Sequence, residues 1–499
     1  MYTISPESVK LADRLAAEKY GIPEIRLMKT AAFHCRSNIL DNSCQSDSFV
    51  IICGKGNNGG DGYALASLLA EIHYDVTVIN VFDCTPVTEC AKEVYESCLK
   101  DGVKVLPFEK SKEALGKATV IIDALFGVGF HGSIAFDSPI GEMLSFCNEC
   151  NAKRIAIDTP SGINSADGRC EGAVFKADLT ITLSYIKTGM LSYPAREFCG
   201  KIAVEPLGFP KELDEEIPKD ALIPDDEYMK AILPERKKNT HKGSYGRLLM
   251  YCGNPEMTGA AVLCATSALR SGTGLLNIAR DRETIKALQA HLIEPVFSVL
   301  SDKDKEKELL SLCEKASATV IGCGLGRSEG DKEILFSIIK NADCPLIIDA
   351  DGINLLSENK LILREAKKTP ILTPHPLEFA RLVGTCAKEV QNNRINLAKK
   401  FAKDFGCVLV LKGANTVIAS PDGALAINTS GNPGLAKGGS GDVLSGVIAS
   451  FVAQGIDVFN SAILGVYLHG KAADNLKEKI SEYGFLPSDL PMAIARLLP

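Results

Sequence analysis

Short runs of apolar residues that stop at a glycine or an acid recur along this chain. Phe49 to Cys53 runs into Gly54-Lys55-Gly56, Thr119 to Ile122 ends at Asp123, and Arg154 to Ile157 ends at Asp158. Leu248 to Cys252, Thr319 to Ile321 and Pro345 to Ile348 repeat the design at Gly253, Gly322 and Asp349. Such runs suit strands buried on both faces, and segments of helical period between them supply the crossovers that parallel strands need. The chain reads as α/β, with the polar residues at its strand ends gathered along the carboxyl edge of a sheet. At 499 residues it is too long for one ordinary domain. The charged, proline-bearing stretch from Gly208 to Asp220 lacks a sustained apolar period and marks the join. We therefore expect a first domain over 1–213, a linker over 214–226 and a second domain over 227–499.

Charge excludes some partners. A net charge of -7 and a pI near 5.7 give no electrostatic reason to expect nucleic acid or an anionic membrane. Met1 to Glu7 lacks the basic and apolar regions of a secretion signal, and no apolar run approaches the roughly 18 residues of a membrane span, so a cytoplasmic protein is expected. Seventeen cysteines, an odd number scattered through strand-like and helix-like segments, read as reduced core residues. Cys147-x-x-Cys150 has no second pair to complete a zinc site and reads as structural.

In the first half, helical spacing predicts helices over 7–20 and 25–40, separated by Gly21-Ile22-Pro23. Gly54-x-Gly56-x-x-Gly59 follows a strand, with a helix expected over 64–70. Asp83 follows the next expected strand, 76–82, where a ribose-binding acid of a dinucleotide fold would stand. An ordinary dinucleotide loop has no need of Asn57, Asn58 and Asp61. Their amide and carboxylate oxygens suit a hard cation or the polar parts of a substrate.

The second half carries the sharper signal. Asn428 to Gly446 is rich in glycine and opens an apolar helix-like run, Val447 to Ala453. A helix N-terminus of that kind points unpaired N–H groups at one spot and favours an anion such as phosphate. A carboxylate at Asp442 is repelled there unless it has work, and taking the proton from a hydroxyl that attacks the phosphate is such work. The plainer reading is a glycine cap with Asp442 as the N-cap of the next helix. Lys412-Gly413-Ala414-Asn415-Thr416, after the strand Val408 to Leu411, offers a lysine and exposed amides to nucleotide phosphates, although a lysine there is commonly just solvated. His375, held between Pro374 and Pro376 after a strand, reads as a fixed pocket position rather than a buried, hydrogen-bonded histidine.

Asn432-x-Gly434-x-Ala436-x-Gly438-Gly439-Ser440-Gly441-Asp442-Val443-Leu444 resembles the signature of ADP- or ATP-dependent NAD(P)H-hydrate dehydratases, a ribokinase-like group. Gly56 to Gly62, Asp123 to Gly129 and Asp158 to Gly162 resemble the motifs of NAD(P)H-hydrate epimerases. The resemblance implies an N-terminal Rossmann-like three-layer α/β sandwich and a C-terminal ribokinase-like α/β domain. It places epimerase substrate contacts on Asn57, Asn58, Gly59, Gly60 and Asp61, on Gly127, Val128, Gly129, Phe130, His131, Gly132 and Ser133, and on Asp158. A potassium site falls on Asn58, Asp123 and Ser161. Dehydratase substrate contacts fall on Ala260, Gly324, His375 and Asp442, and nucleotide contacts on Lys412, Gly413, Ala414, Asn415, Thr416 and Gly441.

The implied activity is repair of hydrated NADH and NADPH. The first domain would epimerise the R and S hydrates. The second would dehydrate the S form with ADP, or ATP, and Mg²⁺, giving AMP and phosphate when ADP is the donor. Asp442 is then the catalytic base of the second domain and Asp158 the acid/base of the first. Expected partners are the hydrated nucleotides, an adenine nucleotide and, in a homo-oligomer, further copies of the chain. The alternative is a ribokinase-like small-molecule kinase fused to a non-catalytic nucleotide-binding module. Three places depart from the family pattern: the stretch Leu27-Met28-Lys29-Thr30-Ala31-Ala32 in the second helix, where the family usually has an acid and an Ala-Gly, His131, and Leu377 in Pro376-Leu377-Glu378.

Overall fold

Side-chain caps and prolines set where the first helices begin. Ser5 accepts the N–H of Ser8, and Pro6 takes the first position of α1 (Pro6–Glu18). Pro23 precedes α2 (Glu24–Leu40), close to the expected limits. The computed structural model describes residues 1–41 and 43–499, which divide into two units, Tyr2–Ala221 and Leu222–Pro499 together with Met1.

The first unit alternates β1 (Ser48–Cys53), α3 (Asn57–Glu71), β2 (Asp75–Asn80), α4 (Glu89–Lys100), β3 (Lys104–Pro107), β4 (Val120–Ala124), α5 (Pro139–Glu149), β5 (Lys153–Ile157), β6 (Leu179–Leu183) and β7 (Lys201–Glu205). The described residues form a seven-stranded sheet in the order β3-β2-β1-β4-β5-β6-β7, parallel throughout. Alternate side chains of β1 serve two cores. Phe49, Ile51 and Cys53 pack with α2, α3 and α4, while Val50 and Ile52 pack with Leu144 and Cys147 of α5. Three layers follow from that alternation.

Helix α3 begins at Asn57, seven residues before the expected start, so the glycine turn is itself helical. Glycine is what permits this. A Cβ on Gly59 would lie 2.0 Å from the Gly54 carbonyl oxygen, and one on Gly62 would lie 2.7 Å from Ala124 Cβ. Met28 of α2 is buried and fills the space over Gly60, which packs the entry helix against α3.

The second unit contains β8 (Arg247–Tyr251), α6 (Thr258–Arg270), β9 (Leu275–Arg280), β10 (Val296–Val299), β11 (Ala318–Ile321), β12 (Leu346–Ile348) and β13 (Ile371–Leu372). There follow α7 (Pro376–Val383), α8 (Arg394–Phe405), β14 (Val408–Leu411), β15 (Val417–Ala419), β16 (Leu425–Ile427), α9 (Ser440–Ala453) and α10 (Val458–Lys479). Its described strands order as β10-β9-β8-β11-β12-β13-β14-β15-β16, parallel as far as β14 and antiparallel beyond it. Leu248 and Met250 bury against α6 and α9, which touch so closely that a Cβ on Gly446 would lie 2.1 Å from the Cys264 carbonyl oxygen.

The division between the units falls inside the 214–226 stretch. Leu213 and Ile217 are buried with Ile4, Ala12 and Leu27 of the first unit, whereas Leu222 bridges to Ala426 of the second. No helix among the described residues is long and apolar enough to cross a membrane. Because the Gly59 contact is with backbone that has nowhere to go, Gly59→Ala is expected to destabilise the first unit by about 1–3 kcal/mol, read as an earlier thermal transition.

Candidate functional site

Two sites form, one in each unit. In the first, a cavity of about 720 Å³ opens beyond the carboxyl ends of β1, β4 and β5. Asn57, Asn58 and Asp61 reach it from the first turns of α3, Gly127 to His131 from the loop after β4, and Asp158 from the end of β5. Gly59 lies against the Gly54 backbone and Gly60 against Met28 and Ala91, so both keep α3 close to its neighbours. Gly132 and Ser133 carry the loop onto exposed surface.

Asp158 has a left-handed backbone, φ +65°, which for a residue other than glycine costs on the order of 1 kcal/mol. Its N–H bonds the Ile181 carbonyl at 2.8 Å, and its Oδ2 accepts from the Val128 N–H at 3.4 Å. Oδ1 is ion-paired with Lys187 Nζ, whose side chain is only 1% exposed and which also donates to Thr182 Oγ1 at 2.9 Å and the Leu183 carbonyl at 3.2 Å. Two more carboxyls share the space. Burial, then the charges of Asp158 and Glu24, raise Asp13 to about 6. Burial, then Asp158 and Asp13, push Asp61 well above the usual carboxylate range. A neutral acid therefore stands beside an ion pair, an arrangement suited to moving protons on and off a bound molecule.

Below the cavity, Asp123 is fully buried. It accepts the Ser161 N–H and hydroxyl at 2.7 Å each and the Leu125 N–H at 3.1 Å, while burial raises it to about 6. The oxygen and nitrogen of the Asn58 amide are both buried without a hydrogen-bond partner, against Gly127. An orphaned amide oxygen close in the fold to a desolvated carboxyl and a serine hydroxyl suits a hard monovalent cation. Asp83, by contrast, accepts the Phe108 N–H at 2.9 Å and caps a turn, so it is not placed as a ribose ligand.

In the second unit, Gly439 (φ +102°) turns the chain into α9, and Asp442 occupies its first turn. The Ser440 N–H is already committed to the Lys437 carbonyl at 3.2 Å, but Ser440 Oγ is buried and has no hydrogen-bond partner among the described residues. Burial first, and Asp349 second, raise Asp442 to about 7, opposed by a hydrogen bond from Cys323 and by the charge of Lys412. Asp349, fully buried, accepts from Lys412 Nζ at 2.8 Å and Ser445 Oγ at 2.7 Å. Burial works against the Lys412 charge, yet Asp349 and Glu378 outweigh it and raise the lysine above its ordinary value. Gly441 leaves room for this pair, since a Cβ there would lie 3.2 Å from Lys412 Nζ.

Gly413, Ala414, Asn415 and Thr416 follow Lys412 around a turn closed by Thr416 Oγ1 on the Gly413 carbonyl at 2.9 Å. Arg394, buried at the start of α8, braces that turn by donating to the Leu411 carbonyl at 2.8 Å. Gly324 (φ +61°) packs on Ala260, with a would-be Cβ 2.9 Å from the Ala260 Cβ. His375 is the N-cap of α7. Its Nδ1 accepts the N–H groups of Leu377 and Glu378 at 3.2 Å each, and its side chain is 46% exposed, so it is fixed and open rather than buried. Burial, then Lys412 and Arg381, lower its pKa and keep the ring neutral.

Sequence reasoning missed Asp13, Lys187, Asp349 as the partner of Lys412, Arg394 and buried His469. Asp13 sits in an amphipathic helix like any solvated acid. Lys187, in Ile186-Lys187-Thr188, offered a faint sign, a lysine inside an apolar run.

Comparison with known proteins adds two family matches. Residues 24–189 match the family described as YjeF-related protein N-terminus, and residues 248–496 the one described as NAD(P)H-hydrate dehydratase. The chain is 34% identical over 507 residues to the bifunctional NAD(P)H-hydrate repair enzyme of Moorella thermoacetica, covering 98% of this chain and 95% of that one. It is 33% identical over 500 residues to the enzyme of the same name from Escherichia coli, covering 99% and 93%. The ADP/ATP-dependent NAD(P)H-hydrate dehydratase of Bacillus subtilis, co-crystallised with ATP/Mg²⁺, is 35% identical and covers 55% of this chain and 96% of its own, with a TM-score of 0.49.

Two outcomes follow from the electrostatics. Unfolded, the Asp442 carboxyl titrates near 3.8; folded, it titrates near 7. Between these values only the folded chain keeps the proton, so stability falls as pH rises through the window. Asp442→Asn removes that penalty. It is expected to be more stable than the parent above pH 7 by up to about 4 kcal/mol, the gap closing below about pH 4, as read by urea unfolding. Lys187→Met strands the Asp158 carboxylate and is expected to destabilise the first unit by about 3–5 kcal/mol, read by thermal unfolding.

Proposed function

The chain belongs to the bifunctional NAD(P)H-hydrate repair enzymes, which join an epimerase to an ADP/ATP-dependent dehydratase, and on that premise we propose how its two halves divide the work. Residues 1–213 interconvert the R and S hydrates, and residues 227–499 dehydrate the S form with ADP, releasing AMP and phosphate. The observation that carries the second assignment is Asp442, a carboxyl held near neutrality in the first turn of a glycine-headed helix.

Hydroxide is a poor leaving group, so the hydroxyl on C6 of the hydrated nicotinamide must first be converted into a better one. Asp442 takes its proton as the oxygen attacks the terminal phosphoryl group of the nucleotide. A base with a pKa near 7 is matched to that task at neutral pH. The N–H groups of Gly438, Gly439 and Gly441, the spare hydroxyl of Ser440 and Lys412 hold the phosphoryl charge in place. The ring nitrogen then expels phosphate, and loss of a proton from the neighbouring carbon restores the dihydropyridine. Ala260, Gly324 and His375 bound the substrate side, and Lys412 to Thr416 with Gly441 the nucleotide side. Mg²⁺ would neutralise the phosphates. Because Asp349 is committed to Lys412 and Ser445, the ion would be held chiefly by the nucleotide and its own waters.

In the first unit, C6 carries both nitrogen and oxygen, so proton traffic alone can open and reclose that centre. Asp158, poised by Lys187 and flanked by Asp61 and Asp13, supplies it. Asn58, Asp123 and Ser161 would hold K⁺, whose charge compensates the buried Asp123 carboxyl and steadies the loop carrying Val128 to Ser133. A cytoplasmic setting and a homo-oligomer belong to the same proposal.

The test follows recovery of the reduced-nicotinamide absorbance from mixed hydrates with ADP or ATP. Asp442→Asn should lower dehydration by about 10²–10⁴-fold, and in the parent the rate should climb as pH rises through about 7. Asp158→Asn should slow interconversion of the two epimers by a similar factor while leaving dehydration of pure S hydrate unchanged. Undiminished recovery in Asp442→Asn, or phosphorylation of a small alcohol with hydrated NADH left untouched, would replace this reading with the kinase one.

A further inference from the structure

Three cysteines meet behind the Asp442 turn. Cys252 directly follows β8, Cys264 stands on α6 and Cys323 follows β11; all are fully buried, and their sulfur atoms lie within 4.8 Å of one another. All three are free thiols. Packing alone asks only for small side chains here, and Ala261, Ala265 and Ala268 meet that need elsewhere on α6. Three mutually facing sulfurs on three separate elements are a ligand set.

We propose that Cys252, Cys264 and Cys323 form a binding site for one divalent thiophilic cation of the Zn²⁺ or Cd²⁺ class. Metal–sulfur bonds of about 2.3 Å in trigonal or tetrahedral geometry place the sulfurs roughly 3.8–4.0 Å apart, inside the 4.8 Å limit within which these three lie. Thiolate sulfur selects soft d¹⁰ ions over Mg²⁺ or Ca²⁺. A divalent ion on three thiolates leaves one net negative charge in the core, where a monovalent ion would leave two, so the divalent class is the better fit. Binding involves no redox change: each thiol gives its proton to solvent, and the sulfur lone pair forms the metal bond.

The site adjoins the dehydratase chemistry. Cys323 belongs to a second group, with Asp349 and Asp442, whose ligand atoms also lie within 4.8 Å of one another. Its Sγ stands 4.0 Å from Asp349 Oδ2. Occupancy would therefore take away the thiol proton that Cys323 offers to Asp442. The intermediate exposure of Asp442 gives an ion a way in from that side.

The test titrates the full chain, reduced and stripped with a chelator, with Cd²⁺. Absorption follows the sulfur-to-cadmium charge-transfer band, and elemental analysis after dialysis gives the stoichiometry. One ion per chain is expected. Cys264→Ala, in a helix already rich in alanine, should weaken binding by roughly ten-fold or more, and Cys252→Ser should do the same. A variant lacking the exposed thiols Cys44, Cys84 and Cys386 should bind like the parent. Absence of the band in the parent would overturn the proposal. So would a band that survives both Cys264→Ala and Cys252→Ser and vanishes with the exposed thiols.

Discussion

Both sites depend on segments packed so closely, helix on turn, turn on turn and helix on helix, that one added methyl group would strike a carbonyl oxygen. In the first unit the contact is Gly59 against Gly54; in the second, Gly322 lies against the Asp349 carbonyl and Gly446 against that of Cys264, each with a would-be Cβ about 2 Å from the oxygen. Close approach does two things. It aims helix N-termini at the carboxyl edge of the sheet, and it strips water from the acids that edge carries.

The stripped acids resolve in the same way in both units. One aspartate takes a lysine, Asp158 pairing with Lys187 and Asp349 with Lys412. A second, Asp61 or Asp442, has no such partner and holds its proton into a range where carboxyls are normally ionised. A fixed charge beside a neutral acid is what separates acid and base roles between chemically identical groups. The same desolvation makes Asp442 a burden on stability, so the fold tolerates it at the expense of the energy its removal would return.

Local pattern was enough for the backbone of the fold. Apolar runs gave the strands, helical spacing broken at Gly21-Ile22-Pro23 placed the first helices, and Gly438 to Asp442 stood out because a carboxylate in an anion-binding turn is chemically odd. The early start of α3 was hidden because Asn57-Asn58-Gly59-Gly60 reads as a turn in isolation, and only its packing against Gly54 and Met28 makes it helical. Asp83 looked like a ribose ligand by spacing alone and proved to cap a turn.

What the linear chain determined is therefore the sheet, the glycine positions and the residues within one turn of a strand end, because each is encoded by neighbours a few positions away. Tertiary structure alone decided which charges face each other, Lys187 and Asp13 on Asp158 and Asp349 between Lys412 and Ser445, and brought three cysteines, from just after β8, from α6 and from the turn after β11, into one small volume. Burial and ion pairing act through space. Their strength is set by distances that no spacing along the sequence contains.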